Sequence, residues 1–265
     1  MNESIKPLAV VTGASSGIGY ELACQFARNG FDLIVAAEEP GIADVTRALE
    51  ELGAAATSVQ VDLSSYDGVE RLYATIKSTG LPVDAVAINA GVGVSGDFAR
   101  DTDLEAELKL ISLNVTSAVH LAKRVLQDMV PRGAGRILFT SSVAATMPGP
   151  YMAAYAASKA FLYSFAEAIR HELRDTGVTI TALLPGPTAT EFFERADMQD
   201  TKIASMEKDD PADVARQGFE ALMAGKDHIV AGSLKNKAQA VAAKTLPEPA
   251  KAKMHGRLAE PGSGD

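Results

Sequence analysis

Thr12-Gly13-Ala14-Ser15-Ser16-Gly17-Ile18-Gly19 follows the apolar run Leu8-Ala9-Val10-Val11 and leads into Leu22, Ala23, Phe26 and Ala27 at helical spacing. The order is strand, glycine turn, helix, and Asn29-Gly30 closes the helix. At such a junction the first helical N–H groups have no intrahelical partner and the helix dipole is positive, so a pyrophosphate is held well there. Glycines let the backbone come close to it. Gly13, Gly17 and Gly19 are spaced G-x-x-x-G-x-G, which departs from the G-x-G-x-x-G of the common dinucleotide fingerprint. Taken alone, the three glycines also fit a tight turn with no ligand.

The alternation continues outward from this unit. Apolar runs predict strands over 8–12, 33–37, 56–61, 85–89, 136–140, 179–184 and 228–231. Between them, helical patterns run over 43–52, closed by Gly53, and over 69–79, closed by Gly80. A long helical pattern spans about 104–129 with Pro131 beyond it, and others span 154–174 and 213–223. This predicts an α/β fold with a doubly wound parallel β-sheet, Rossmann-like, and helices on both faces.

With 265 residues, 47% hydrophobic and 22% charged, the chain can bury a large core and reads as one domain over 1–265, its core about 7–232. A net charge of −9 gives no field for a phosphate backbone, which argues against nucleic acid as a partner. Cys24 is the single cysteine and the four histidines are scattered, so no internal disulfide and no metal site are expected. No apolar run reaches membrane length, and residues 1–7 carry charge without the apolar centre of a secretion signal. The expectation is a cytoplasmic protein with no membrane partner. Residues 188–210 are polar and irregular, with weak helical signals over 192–198, and read as a mobile flap over a substrate site; an ordinary surface insertion fits the pattern equally. The tail over 248–265, rich in Lys, Pro and Gly, is expected to be partly disordered.

Polar groups gather where strands end. Asp62 closes the third strand and Asn89-Ala90-Gly91 the fourth, at the carboxyl edge where open α/β sheets bind ligands. Tyr155 and Lys159 lie one helical turn apart and share a face. An ammonium there favours phenolate and is expected to pull the phenol below its usual value of about 10. A surface lysine on an amphipathic helix is the plainer reading. Ser142 ends the strand in Phe139-Thr140-Ser141-Ser142, thirteen residues before Tyr155, where a hydroxyl can hold a substrate oxygen.

Thr12–Gly19 as TGASSGIG, Asn89-Ala90-Gly91 as NAG, Tyr155–Lys159 as YxxxK, and Pro185-Gly186 together resemble the short-chain dehydrogenase/reductase family, over roughly residues 7–232. The resemblance implies about seven strands with NAD or NADP across their carboxyl edge. It implies catalytic roles for Asn114, Ser142, Tyr155 and Lys159, Tyr155 moving the proton and Asn114 holding a water that links Lys159 to solvent. Cofactor contacts are implied for Gly13, Ser15, Ser16, Gly17, Ile18, Gly19, Glu38, Asp62, Leu63, Asn89, Ala90, Gly91, Tyr155, Lys159, Pro185, Gly186, Thr188 and Thr190. Substrate contacts are expected from Tyr151, Met152, Phe192 and Phe193.

The implied activity is an alcohol–carbonyl oxidoreductase on a small, lipophilic substrate. A non-catalytic redox sensor is the alternative, and a sugar-nucleotide epimerase is disfavoured because little chain remains for a second domain. The second strand ends Ala36-Ala37-Glu38-Glu39, with the family's NAD-selecting Asp replaced by Ala37 and its NADP-selecting Arg by Glu38. Glu38 and the lack of cations there favour NAD, although a shifted register would admit NADP. Helices over 106–129 and 154–174 are expected to pair in a homodimer or homotetramer.

Overall fold

The computed structural model describes residues 6–233 and 247–264. Residues 1–5, which include most of the stretch read as lacking a secretion signal, and Asp265 of the tail lie outside the described residues.

All five residues of β1 (Leu8–Thr12) are buried, as expected of a strand covered on both faces. It pairs in parallel with β2 (Asp32–Ala37) on one side and β4 (Val83–Ile88) on the other. Beyond these lie β3 (Ala56–Gln60), β5 (Gly135–Thr140), β6 (Val178–Pro185) and β7 (His228–Ala231), giving a seven-stranded parallel sheet in the order β3-β2-β1-β4-β5-β6-β7. The chain moves outward from β1 to β3, then returns across β1 to β4 and proceeds to β7. The connections after β1 and β4 therefore diverge, and a crevice opens above the carboxyl ends of those two strands.

Helices α1 (Gly17–Arg28) and α2 (Ile42–Glu51) pack one face of the sheet together with α9 (Pro211–Met223). Helices α3 (Tyr66–Ser78), α5 (Ser117–Arg132) and α6 (Ala153–Glu172) pack the other. On the first face Phe26 is fully buried, its ring edge-on to Phe31 and Phe219 at 5.1 Å from each.

Three expectations change. The single helix predicted over 104–129 is α4 (Leu104–Ile111), a π-helical turn over Ser112–Thr116, and then α5, which runs through Pro131 to end beside left-handed Gly133. The π turn adds a residue to the helical ladder, and Asn114 sits inside it. The segment over 188–210 holds α7 (Phe192–Arg195) and α8 (Lys202–Ser205), and its Phe193, Ala196 and Met198 pack with Met152 and Ala259. The tail forms a C-terminal helix, Glu248–Ala259, with Lys251, His255 and Ala259 buried. The Lys, Pro and Gly content that reads as disorder hides this helix, because two of the three inward residues are polar. No helix among the described residues is long and apolar enough to cross a membrane.

Replacing the enclosed Phe26 with Ala is expected to lower the unfolding free energy by about 3–5 kcal/mol, read from urea denaturation followed by circular dichroism. A loss below about 1 kcal/mol would mean that this aromatic cluster collapses around the gap.

Candidate active site

One cleft runs along the carboxyl edge of the sheet, and its floor is held by Thr12. The Thr12 hydroxyl accepts from the backbone N–H groups of Asn89 (2.9 Å) and Ala90 (3.1 Å), while the Asn89 amide donates to the Thr12 carbonyl at 3.2 Å. The ends of β1 and β4 are thus fastened together. Gly13 is left-handed (φ 65°), and a Cβ built on it would stand 2.8 Å from Ala90 Cα. A Cβ on Gly19 would run into the Gly13 carbonyl oxygen. Glycine is needed at both positions for the turn to close.

The first turn of α1 rises from this floor, and the side chain of its N-cap, Ser16, makes no capping bond. Its free N–H groups and positive dipole end suit a pyrophosphate. Gly17 (φ 56°) lies under Thr190, whose methyl would be 2.9 Å from a Cβ there. The hydroxyl of Thr188, beside Pro185 and Gly186, donates to the Gly186 carbonyl at 2.9 Å.

At the end of β2 the structure corrects the expectation that cations are missing. Lys109 from α4 lies 3.2 Å from Glu38, and Arg195 from α7 lies 2.6 Å from Glu39. The Ser15 hydroxyl donates to Glu39 at 2.9 Å. Burial works against the charge on Glu39, but its own backbone N–H, Ser15 and Arg195 outweigh that and hold its carboxyl below the usual range. Asp62 is also held low, because the bonds from Ser64 and the charge of Lys109 exceed its burial penalty.

At the other end of the cleft, α6 presents Tyr155 and Lys159. Lys159 is buried, and its ammonium donates to the Thr140 carbonyl at 2.9 Å. Ser142 caps the short 3₁₀ turn Val143–Thr146, accepting from the Ala144 N–H at 3.1 Å, and its hydroxyl lies beside the Tyr155 phenol. Burial pushes the phenol up to about 12, with Ser142 opposing it in part, and pushes the Lys159 ammonium down to about 8. The lowered phenol expected from the sequence is therefore reversed with the charges this chain supplies. Desolvation of both groups exceeds their mutual help.

Of the residues expected in the site, all of those assigned to the cofactor line the cleft, as do Ser142, Tyr155 and Lys159. Asn114 does not. Its side chain accepts from the Val92 N–H at 2.9 Å and donates to the Val92 carbonyl at 2.9 Å and to Ser158 at 3.0 Å. Through those bonds Asn114 ties the loop after β4 to α6. Ser158 donates onward to the Tyr155 carbonyl at 2.7 Å, and Ser141 donates to the Lys159 carbonyl at 2.7 Å. Sequence reasoning passed over these two braces, although each adjoins a residue it chose.

The substrate end is walled by Met147, Met152, Phe192, Phe193, Met206 and Leu258, with His255 beside them. Phe192 lies 5.1 Å from the Tyr155 ring. Tyr151 does not line the cleft; its backbone is left-handed (φ 62°) and its hydroxyl donates to Glu260 at 3.4 Å. Away from the cleft lining, Glu167, Asp227 and His228 bring possible ligand atoms within 4.8 Å of one another, a grouping the scattered sequence positions did not suggest.

The pattern of the family described as short chain dehydrogenase matches residues 7–201. The uncharacterized oxidoreductase YbbO of Escherichia coli is 36% identical over 186 residues, covering 70% of this chain and 67% of that protein. A short chain dehydrogenase of Pseudocercospora fijiensis is 34% identical over 186 residues, 69% of this chain but only 60% of the fungal protein. Among solved structures, a short-chain dehydrogenase/reductase from Burkholderia phymatum in complex with NAD superposes with a TM-score of 0.82 at 26% identity, covering 93% of this chain and 94% of that one. A short-chain dehydrogenase from Sphingobium yanoikuyae in complex with NADPH gives 0.78 at 29% identity over 84% of this chain and 87% of that one. With the family pattern spanning most of the sheet and its motif residues gathered on one cleft, the chain belongs to the short-chain dehydrogenase family of oxidoreductases.

Proposed function

We propose that this enzyme interconverts a lipophilic alcohol and its ketone or aldehyde, using NAD(H) in preference to NADP(H). The observation that carries the reading is Ser142 beside Tyr155, with Lys159 one turn along the same helix, at the apolar end of a cleft whose other end is a glycine-lined helix N-terminus. Gly13, Ser15, Ser16, Gly17, Ile18 and Gly19 would hold the pyrophosphate. Asp62, Leu63, Asn89, Ala90 and Gly91 would lie along the adenosine and ribose, and Pro185, Gly186, Thr188 and Thr190 against the carboxamide. The bound nicotinamide supplies or accepts the hydride.

The chain's own work is positioning and proton transfer. Ser142 orients the substrate oxygen, and Tyr155 gives or takes the proton on it. A phenol pushed up to about 12 holds its proton at neutral pH, which suits the acid role and hence carbonyl reduction. Below about pH 8 Lys159 is an ammonium that favours negative charge on that oxygen. Asn114 acts as a positioning residue through Val92 and Ser158.

NAD is favoured because Glu38 and Glu39 pair with Lys109 and Arg195, which leaves neither cation free for a 2′-phosphate. The flap role of 188–210, a cytoplasmic location and one catalytic unit belong to the same reading. So does a homo-oligomer formed through the exposed Leu104, Leu108 and Ile111 of α4 and Phe161 of α6.

Tyr155→Phe is expected to lower kcat by at least about a hundredfold while NADH binding, followed by fluorescence, stays within about twofold. Unchanged turnover would refute the assigned acid. In the same titration NADH should bind more tightly than NADPH, and the opposite order would defeat the cofactor preference.

Lys159 also makes a stability prediction. Its folded pKa of about 8 lies below the ordinary 10.5, so at pH 7 the fold carries the cost of a buried ammonium. Between about 8 and 10.5 the unfolded chain holds a proton that the folded chain has released, and stability rises with pH in that window. Lys159→Met should therefore inactivate the enzyme yet stabilise it at pH 7, by up to about 3 kcal/mol, with the gain fading by pH 10.5. Tyr155 runs the other way: its folded pKa is raised, so stability falls as pH climbs from 10 to about 12. Urea denaturation at pH 7, 9 and 10 measures the difference, and a variant no more stable at pH 7 contradicts it.

A further inference from the structure

The segment that leaves β6 reaches back along the cleft to the glycine turn and the end of β2. Thr190 lies against Gly17, where a Cβ would stand 2.9 Å from the threonine methyl, and further along the Arg195 guanidinium donates to Glu39 at 2.6 Å. Glu191, on the same side of the segment, holds that guanidinium from its own helix at 2.6 Å. The second carboxylate oxygen of Glu39 accepts from Ser15 of the glycine turn at 2.9 Å. One line of polar contacts therefore runs from the glycine turn through the end of β2 to α7.

The rest of the segment is fastened elsewhere. Phe193, Ala196 and Met198 pack with Met152 and Ala259 at the substrate end, and the Ala189 N–H donates to the Asp209 carbonyl at 2.9 Å. Among the described residues, no other hydrogen bond or ion pair joins α7 to the glycine turn or to the end of β2. Ser15, Glu39, Thr190 and Arg195 all line the cleft. An arm held by apolar packing at one end and by one ion pair at the other opens first at the ion pair. The two side chains are 46% and 42% exposed, so solvent and salt screen their attraction and make it the weaker fastening.

We propose that Arg195 and Glu39 form a latch that holds the 187–195 arm across the cleft, so that a nicotinamide dinucleotide exchanges only when this pair parts. Both act as positioning residues: Glu39 anchors, and Arg195 carries Thr188 and Thr190 into place over the glycine turn. The latch rests on the reading that such a cofactor lies along that turn, and it adds what governs cofactor release.

The dissociation rate of NADH tests it, followed by the loss of fluorescence when the loaded enzyme is mixed with excess NAD. Glu39→Gln and Arg195→Met should each speed release about fivefold, and the double variant no more than either alone, because both remove the same contact. Arg195→Lys, which keeps the charge without the planar fork, should fall between. Raising NaCl from about 50 mM to about 500 mM should speed release from the natural enzyme more than from the variants. Without cofactor, amide hydrogen exchange over 190–196 should quicken in both single variants, a readout that does not depend on turnover. Unchanged release in Glu39→Gln, additive effects in the double variant, or faster release with unaltered exchange over 190–196 overturns the latch. An effect of Arg195→Met without one of Glu39→Gln would mean that the guanidinium holds the cofactor directly, and overturns it too. Failure of NADH and NADPH alike to bind the natural enzyme would instead overturn the cofactor reading.

Discussion

The fastening of β1 to β4 by Thr12 is the constraint on which the site depends. A parallel sheet whose order reverses at its centre has two loops leaving in opposite directions, and nothing in the ladder itself fixes the gap between them. The Thr12 hydroxyl does so by taking two N–H groups from the start of the loop after β4, and Asn89 returns a bond to the Thr12 carbonyl. Gly13 and Gly19 then allow the turn to fold against that loop with no side chain between. The result is a helix N-terminus held at fixed height above the sheet.

From the same loop a second line of contacts reaches the catalytic helix. Val92 presents both backbone groups to Asn114, Asn114 donates to Ser158, and Ser158 donates to the Tyr155 carbonyl. The π turn over Ser112–Thr116 shifts the register between α4 and α5 at the place where Asn114 contacts Val92. Ser141 pins α6 to β5 through the Lys159 carbonyl. The floor of the cleft and the positions of Tyr155 and Lys159 are therefore parts of one hydrogen-bonded frame.

How much of this the sequence reveals depends on what kind of signal each part leaves. Strands and helices buried along one face repeat with a period, so all seven strands and the glycine turn are legible. Tyr155 and Lys159 are legible because one helical turn separates them. The Arg195–Glu39 pair joins residues 156 positions apart and leaves no local trace. Lys109 escapes notice for the same reason, and the lack of cations inferred at β2 was an artefact of reading only neighbours. The C-terminal helix was missed because its buried stripe, Lys251, His255 and Ala259, has helical spacing but not apolar character. The break at Ser112–Thr116 is invisible because a π turn keeps helical residue types while adding one position.

Those misses concentrate on the substrate side, and the reason is physical. The sheet and its glycine turn must satisfy packing and backbone geometry, so their residues obey periodic rules. The substrate end is closed instead by short helices, a left-handed Tyr151 and a polar stripe on the last helix, each fixed by a few specific contacts. Burial there also sets the chemistry, since the same enclosure that raises the Tyr155 phenol lowers the Lys159 ammonium. The enclosure thus makes the proton donor weaker and the cation beside it more costly to keep, a strain that core packing on both faces of the sheet must offset. Reactivity at this end is purchased from stability elsewhere, so the part of the chain least predictable by pattern is the part that determines what the enzyme binds.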